Sequence, residues 1–149
     1  MALRLYNTRT RAVEAFVPMV AGKVSMYVCG MTPSFHPHLG HARTFLTFDV
    51  LFRYLRAKGY DVTYVRNVTD IDDRILQRAK ERGEGPLELS SRVSDVCDAQ
   101  LRAIGVRDPD HEPKVSTHIA EIVALIQDLI ARGHAYVSKT DKGQDVYFA

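Results

Sequence analysis

One stretch constrains this chain most. A β-branched and aromatic run from Val24 ends in Tyr27-Val28-Cys29-Gly30-Met31-Thr32. A turn-rich segment, Pro33-Ser34-Phe35-His36-Pro37, follows, and His38-Leu39-Gly40-His41 then leads into a long apolar-rich helix. A strand, a tight loop and a helix start in this order build a binding place for nucleotide phosphates, because free backbone N–H groups and the helix dipole attract anions there. Glycine lets the backbone come close to a ligand, and the two imidazoles add side-chain donors.

The downstream pattern extends this into an α/β fold. Arg43 to Lys58 reads as a helix with Phe45, Phe48, Leu51, Phe52 and Leu55 on one face and Gly59 as its stop. Asp61 to Asn67 reads as the next strand, on the β signal of Val62, Tyr64 and Val65. Strand, crossover helix and strand imply a right-handed unit with a parallel pair, and a ligand site at the carboxyl ends of its strands. Cys29-Gly30 and Asn67-Val68-Thr69 both fall there. Upstream, Leu3–Asn7 and Val13–Val17 can pair as a hairpin.

The rest reads mainly as helix. Thr69 or Asp70 is positioned to cap a helix carrying Ile71, Ile75, Leu76 and Ala79 that ends near Gly83. Pro86 suits a first helical position and precedes a stripe of Leu89, Val93, Val96, Cys97, Leu101 and Ile104. Residues 108–113 read as a loop. A last helix carries Ile119, Ile122, Val123, Ile126, Leu129 and Ile130 on one stripe and stops at Gly133. Two short strands around a turn at Thr140-Asp141-Lys142-Gly143 close the sequence. The chain stops in or just after the second of these strands without a polar tail. That predicts the N-terminal portion, residues 1–149, of a longer architecture.

Composition sets only outer limits. With 149 residues, 46% hydrophobic and 26% charged, the chain fits one domain of an ordinary globular protein. No stretch approaches the roughly 18 apolar residues of a membrane span, and no signal-peptide core opens the chain. Two cysteines, Cys29 and Cys97, make no disulfide framework, which predicts a cytoplasmic setting. The net charge of +2 argues neither for nor against nucleic-acid binding.

His38-Leu39-Gly40-His41 resembles the His-Ile-Gly-His signature of class I aminoacyl-tRNA synthetases. Tyr27-Val28-Cys29-Gly30 before it and Tyr64-Val65-Arg66-Asn67-Val68-Thr69-Asp70-Ile71-Asp72-Asp73 after it narrow the likeness to the cysteinyl-tRNA synthetase family. Leu5-Tyr6-Asn7-Thr8, His118 to Ile122 and Gly133 to Val137 agree, so the resemblance runs from Leu3 to the end. It implies a Rossmann-like parallel sheet with flanking helices and a terminal hairpin, where residues near 134–149 begin a connecting insertion. It implies ATP and magnesium, activation of cysteine to cysteinyl adenylate, and transfer to tRNA(Cys) by a monomer whose tRNA-binding regions lie largely elsewhere.

The resemblance also assigns residues. His38 and His41 contact ATP phosphates and stabilise charge moving to pyrophosphate. Gly30, Thr32 and Gly40 join them in nucleotide binding, and Gly30 with Thr69 forms the amino-acid pocket. Cys29 is a zinc ligand, and zinc then takes the substrate thiolate, which a hydroxyl competitor matches poorly. Zinc needs about four ligands, and Cys29 is the single convincing candidate here. No Lys-Met-Ser-Lys-Ser-like loop is found; Val137-Ser138-Lys139-Thr140 is only superficially similar.

Each assignment has a plainer competitor. One histidine could cap the helix while the other faces solvent. Cys29 could be a small buried hydrophobe, and Thr69 a helix cap. Asp70, Asp72 and Asp73 read as first-turn acids favouring the helix dipole rather than a metal cluster. Cys97 belongs to the core, and His118 and His134 to helix ends. Between Thr32 and His38 the family pattern of Val-Tyr-Asp and two variable residues is replaced by Pro33-Ser34-Phe35-His36-Pro37, stiffened by two prolines. Pro33 and Leu46-Thr47-Phe48-Asp49 also resemble the cysteine:amino-sugar ligase of mycothiol biosynthesis, while Arg43 and Arg66-Asn67 lean toward the tRNA enzyme. That ligase and a truncated, non-catalytic homologue are the alternatives.

Overall fold

A computed structural model describes residues 3–140 and 143–149. In chain order the elements are β1 (Arg4–Asn7), β2 (Ala12–Ala15), β3 (Lys23–Val28), α1 (Leu39–Ala57), β4 (Asp61–Arg66), α2 (Asp73–Arg82), α3 (Pro86–Ala103), α4 (Ile119–Ala131), β5 (Ala135–Thr140) and β6 (Gly143–Phe148). The α/β reading holds, with β3 and β4 as the parallel pair: Val24 faces Val62, Met26 faces Tyr64 and Val28 faces Arg66. β1 pairs antiparallel with β2, and β5 with β6, as the hairpin patterns imply. Asp141 and Lys142 of the last turn lie outside the described residues.

Side chains alternate across a strand, so β3 buries Val24, Met26 and Val28 and exposes Lys23, Ser25 and Tyr27. Over that buried face pack Phe45, Phe52 and Leu55 of α1, Ile75 and Ala79 of α2, and Leu89, Val93, Cys97 and Leu101 of α3. Tyr64 is wholly buried at the centre. The apolar stripe of α1 thus reaches the sheet as its period requires. Pro86 takes the first position of α3, and Gly83 ends α2 in the left-handed conformation at φ 66°.

Several boundaries differ from the local pattern. α1 begins at Leu39, four residues before Arg43, because His38 and His41 cap it together. α2 is capped by Asp72, whose carboxylate accepts from Arg74 N–H at 2.9 Å, and not by Thr69 or Asp70. Asp73 is a first-turn acid as expected. Asp70 is buried elsewhere and accepts from the backbone N–H and the hydroxyl of Ser116. Ile104 lies past the end of α3 and is exposed.

Residues 108–113 are a bonded edge rather than a free loop. Arg66 N–H donates to His111 O at 3.1 Å and Val68 N–H to Pro113 O at 2.9 Å, so this segment runs parallel to β4 as a third extended stretch. His118 holds the N-cap position of α4, its backbone O accepting from Ile122 N–H at 2.9 Å, but its side chain makes no cap bond; its Nδ1 lies 2.9 Å from Lys114 O. His134 closes the other end of α4 through its backbone, donating to Leu129 O at 2.9 Å. The α4 stripe has no buried residue among those described, with Ile119, Ile122, Val123 and Ile130 all exposed.

Candidate functional site

The two parallel strands end side by side, and one amide side chain ties them together. Asn67, just past β4, accepts at Oδ1 from Gly30 N–H at 2.7 Å and from the Tyr27 hydroxyl at 2.9 Å. Two donors on one atom fix that atom as the oxygen. Its Nδ2 donates to Thr69 Oγ1 at 3.2 Å, and Thr69 N–H donates to Met31 O at 3.1 Å. Gly30, Asn67 and Thr69 therefore form one laced corner. Only glycine fits at position 30, since a Cβ there would lie 1.5 Å from Asn67 O. The reason is close backbone approach; its φ is not positive.

Below this corner Arg66 is nearly closed to solvent. Its Nη2 donates to Glu112 at 2.8 Å and to Asp98 at 3.3 Å, and its guanidinium lies 5.1 Å from the Phe45 ring centre. Burial by itself would lower the Arg66 pKa, but hydrogen bonding and attraction to Glu112 hold it above the ordinary value. Burial and the neighbouring Glu112 charge raise Asp98 despite the pull of Arg66. A buried charge so partnered is costly to break from one side, so Arg66 fastens β4 to α3 and to the 108–113 edge. The cavity beside it, lined by Met31, Phe45, Arg66, Asn67 and Cys97, measures about 10 Å³. That is room for about one water and excludes a substrate.

The second group sits at the N-terminus of α1. His38 Nδ1 accepts from Gly40 N–H at 3.1 Å, and His41 Nδ1 accepts from His38 N–H at 3.2 Å. This is a reciprocal capping box built from two imidazoles. It also accounts for Gly40, because a Cβ there would lie 2.8 Å from His38 Cε1 and 2.9 Å from its Nδ1. The rings lie against each other with centroids 4.1 Å apart and planes tilted by 40°. With both Nδ1 atoms accepting, both rings carry their proton on Nε2. Each therefore caps with one nitrogen and offers an N–H with the other. Both histidines cap, and His38 is also exposed while His41 is half-buried, so the simpler assignment of one capping and one solvent-facing ring describes the pair only in part. His38 also lines a hollow of about 330 Å³ with Pro37, Leu39, Ala42, Leu101 and Ile104, within the size range of small-molecule sites.

Desolvation, and then the neighbouring His38, lower the His41 pKa below the ordinary imidazole value. The protonated ring cannot accept at Nδ1, so folding binds fewer protons at this site than unfolding does. Stability therefore rises with pH between the depressed folded value and the unfolded value of about 6.5. As pH falls below about 6.5, the first turn of α1 should fray, and amide protection factors at His38 and Gly40, corrected for the intrinsic pH dependence of exchange, should fall before those of β4 change. An equal loss of protection across the whole chain would contradict this local origin.

Cys29 lies just past β3 and is exposed, with its Sγ 3.7 Å from Gly30 O. The buried-hydrophobe reading belongs instead to Cys97, whose thiol burial pushes up to about 11. Among the described residues no group of three or more histidine, cysteine, aspartate or glutamate side chains could hold a metal ion. The donors present do not amount to a zinc centre. Thr32 Oγ1 accepts from Arg74 Nη2 at 3.2 Å. No hydrogen bond among the described residues joins the Gly30–Asn67–Thr69 corner to the histidine pair. Asn67, Arg66 and Arg74 carry geometry that local sequence reading left unassigned. The one local hint was the polar Arg66-Asn67 pair at the end of an apolar strand.

Residues 15–149 match the family described as tRNA synthetases class I (C) catalytic domain. A cysteine--tRNA ligase of Legionella pneumophila (strain Paris) is 51% identical over 97% of this chain, and one of Marinobacter nauticus is 52% identical over 99%. In both cases the chain spans 31% of the relative's own length. A solved ternary complex of Agrobacterium radiobacter K84 agnB2 LeuRS with tRNA and LeuAMS has a TM-score of 0.67 and 25% identity, covering 83% of this chain and 16% of that one. Mycobacterium tuberculosis methionyl-tRNA synthetase in complex with methionyl-adenylate shares the fold, with a TM-score of 0.68 and 24% identity over 78% of this chain and 23% of that one. Sequence match and fold agree that the chain belongs to the class I (C) family of tRNA synthetase catalytic domains.

Proposed function

We propose that this chain forms the first part of a site that activates cysteine with ATP and passes it to tRNA(Cys). The carrying observation is the histidine pair, which spends its Nδ1 atoms on capping and keeps two Nε2–H donors at a positive helix end. The cysteine carboxylate oxygen bonds to the α-phosphorus as the bond to pyrophosphate breaks. His38 and His41 donate to the phosphate oxygens on which negative charge grows, and preorganised donors of this kind act where charge develops. Gly40 and Thr32 border the nucleotide, and Gly30 and Thr69 the amino acid, in a corner that Asn67 keeps rigid.

Magnesium accompanies ATP in this reading. Within it, Cys29 would supply one thiolate to zinc, whose further ligands are not supplied by the described residues. The 149-residue chain should therefore take up zinc no more tightly than an isolated exposed thiol, because one donor of about four is present. Stoichiometric zinc surviving dialysis against a mild chelator would show that other side chains here complete the site.

The names of the relatives support tRNA as acceptor and do not favour the amino sugar. A cytoplasmic monomer completes the proposal. The free thiols of Cys29 and Cys97 support the reducing setting, and no helix among the described residues is long and apolar enough to cross a membrane. The proposal is tested by ATP–pyrophosphate exchange in a chimera that continues this chain with the remainder of its Marinobacter relative. Exchange should require cysteine and fail with serine; exchange without dependence on cysteine would reject the reading.

A further inference from the structure

The segment that delivers His38 to its place is held from α2. Pro33 is wholly buried, and Ser34 N–H donates to Thr32 O at 2.8 Å, which folds the start of the segment. Arg74 donates to Thr32 Oγ1 at 3.2 Å while its Nε rests on Asp72 at 2.9 Å. One turn further along α2, the Arg78 guanidinium lies 5.3 Å from the centre of the Phe35 ring. Arg78 is itself steadied by Glu81 at 3.1 Å, and its Nε is buried with no hydrogen-bond partner among the described residues. Phe35 is 59% exposed, so apolar burial alone is a weak reason for its position. A cation over an aromatic face is a sufficient one.

Arg74 and Arg78 are four residues apart and so share one face of α2. They grip the segment at Thr32 and Phe35, and Phe35 is three residues from His38. We propose that Phe35 and Arg78 are positioning residues: their cation–π contact docks the 32–37 segment on α2 and so sets where the His38 imidazole stands. This rests on the reading of His38 as a phosphate contact. The segment is then a hinge between two elements, with one end fixed by the capping box of α1 and the other by α2. Losing the grip on α2 leaves α1 and the core intact while widening the positions open to His38.

The test uses the 149-residue chain and four variants, Phe35→Ala, Phe35→Leu, Phe35→Tyr and Arg78→Lys. An exposed cation–π contact corresponds to about a two- to fivefold change in a docking equilibrium. Phe35→Ala should accelerate amide exchange at Ser34 by about that factor and shift the His38 imidazole NMR signals, with the melting temperature unchanged. Phe35→Leu should behave like Phe35→Ala, whereas Phe35→Tyr and Arg78→Lys should stay near the parent. The apparent Kd for ATP should rise with Phe35→Ala only as far as the docked fraction falls, by less than that factor where the parent segment is mostly docked. If Phe35→Leu holds the segment as well as phenylalanine does, or Phe35→Ala leaves Ser34 exchange and the His38 signals unchanged, the inference is overturned. Ser34 exchange and the His38 signals decide the clamp even if the parent chain, the first part of the site, binds no ATP by itself. The phosphate reading of His38 is decided in the chimera with the Marinobacter relative, where unchanged adenylate formation by His38→Asn would reject it.

Discussion

Gly30→Ala is expected to destabilise the chain by about 3 kcal/mol or more, the range of a forced overpacking joined by lost hydrogen bonds. The added methyl would stand 1.5 Å from the Asn67 carbonyl oxygen, which is backbone and has no rotamer in which to retreat. The strand ends must then part. Parting them breaks the 2.7 Å bond from Gly30 N–H to Asn67 and the 3.1 Å bond from Thr69 N–H to Met31 O. Cys29→Ala, next door and exposed, should change stability by no more than about 0.5 kcal/mol. Urea unfolding of both variants checks the contrast. A Gly30→Ala chain as stable as its parent would mean that the two strand ends do not approach this closely.

The same corner shows how far the sequence could be read. Alternation in β3, the α1 stripe, Pro86 at the head of α3 and the closing hairpin rest on contacts within a few residues, and the local pattern revealed them. The cap of α2 did not yield in this way. Thr69, Asp70, Asp72 and Asp73 all suit a helix start, and distant partners decide among them. Met31 O and Asn67 engage Thr69, and Ser116 takes Asp70, which leaves Asp72 to cap.

The start of α1 was missed for a different reason. Histidine is not among the preferred capping residues, and the reciprocal bonds of His38 and His41 appear only once their geometry is known. Asn67 gains its part from Gly30, 37 residues earlier, and the 108–113 edge from β4, 46 residues before it. No local window contains either pair. The departure of residues 33–37 from the family pattern also finds a physical account, with Pro33 buried and Phe35 against Arg78.

His41→Asn and His41→Gln separate the two duties of that ring. Asparagine places a carbonyl oxygen near the position of Nδ1, so it can still accept from His38 N–H, but it has no atom at Nε2. Its stability should stay within about 1 kcal/mol of the parent, as expected when a cap is replaced by another acceptor. In the chimera with the Marinobacter relative, adenylate formation should slow by roughly 100-fold or more, because one donor to developing charge is lost. Glutamine reaches the Nε2 position with an amide N–H and lacks the short acceptor. It should lower stability by about 1 kcal/mol and retain more of the rate than asparagine does.

The most direct measurement is single-turnover formation of cysteinyl adenylate by the His41→Asn chimera, normalised to folded protein and set beside its melting temperature. The expected result is a melting temperature close to the parent with adenylation down by roughly 100-fold or more. A normal rate per folded molecule would contradict the account and leave His41 as a helix cap only.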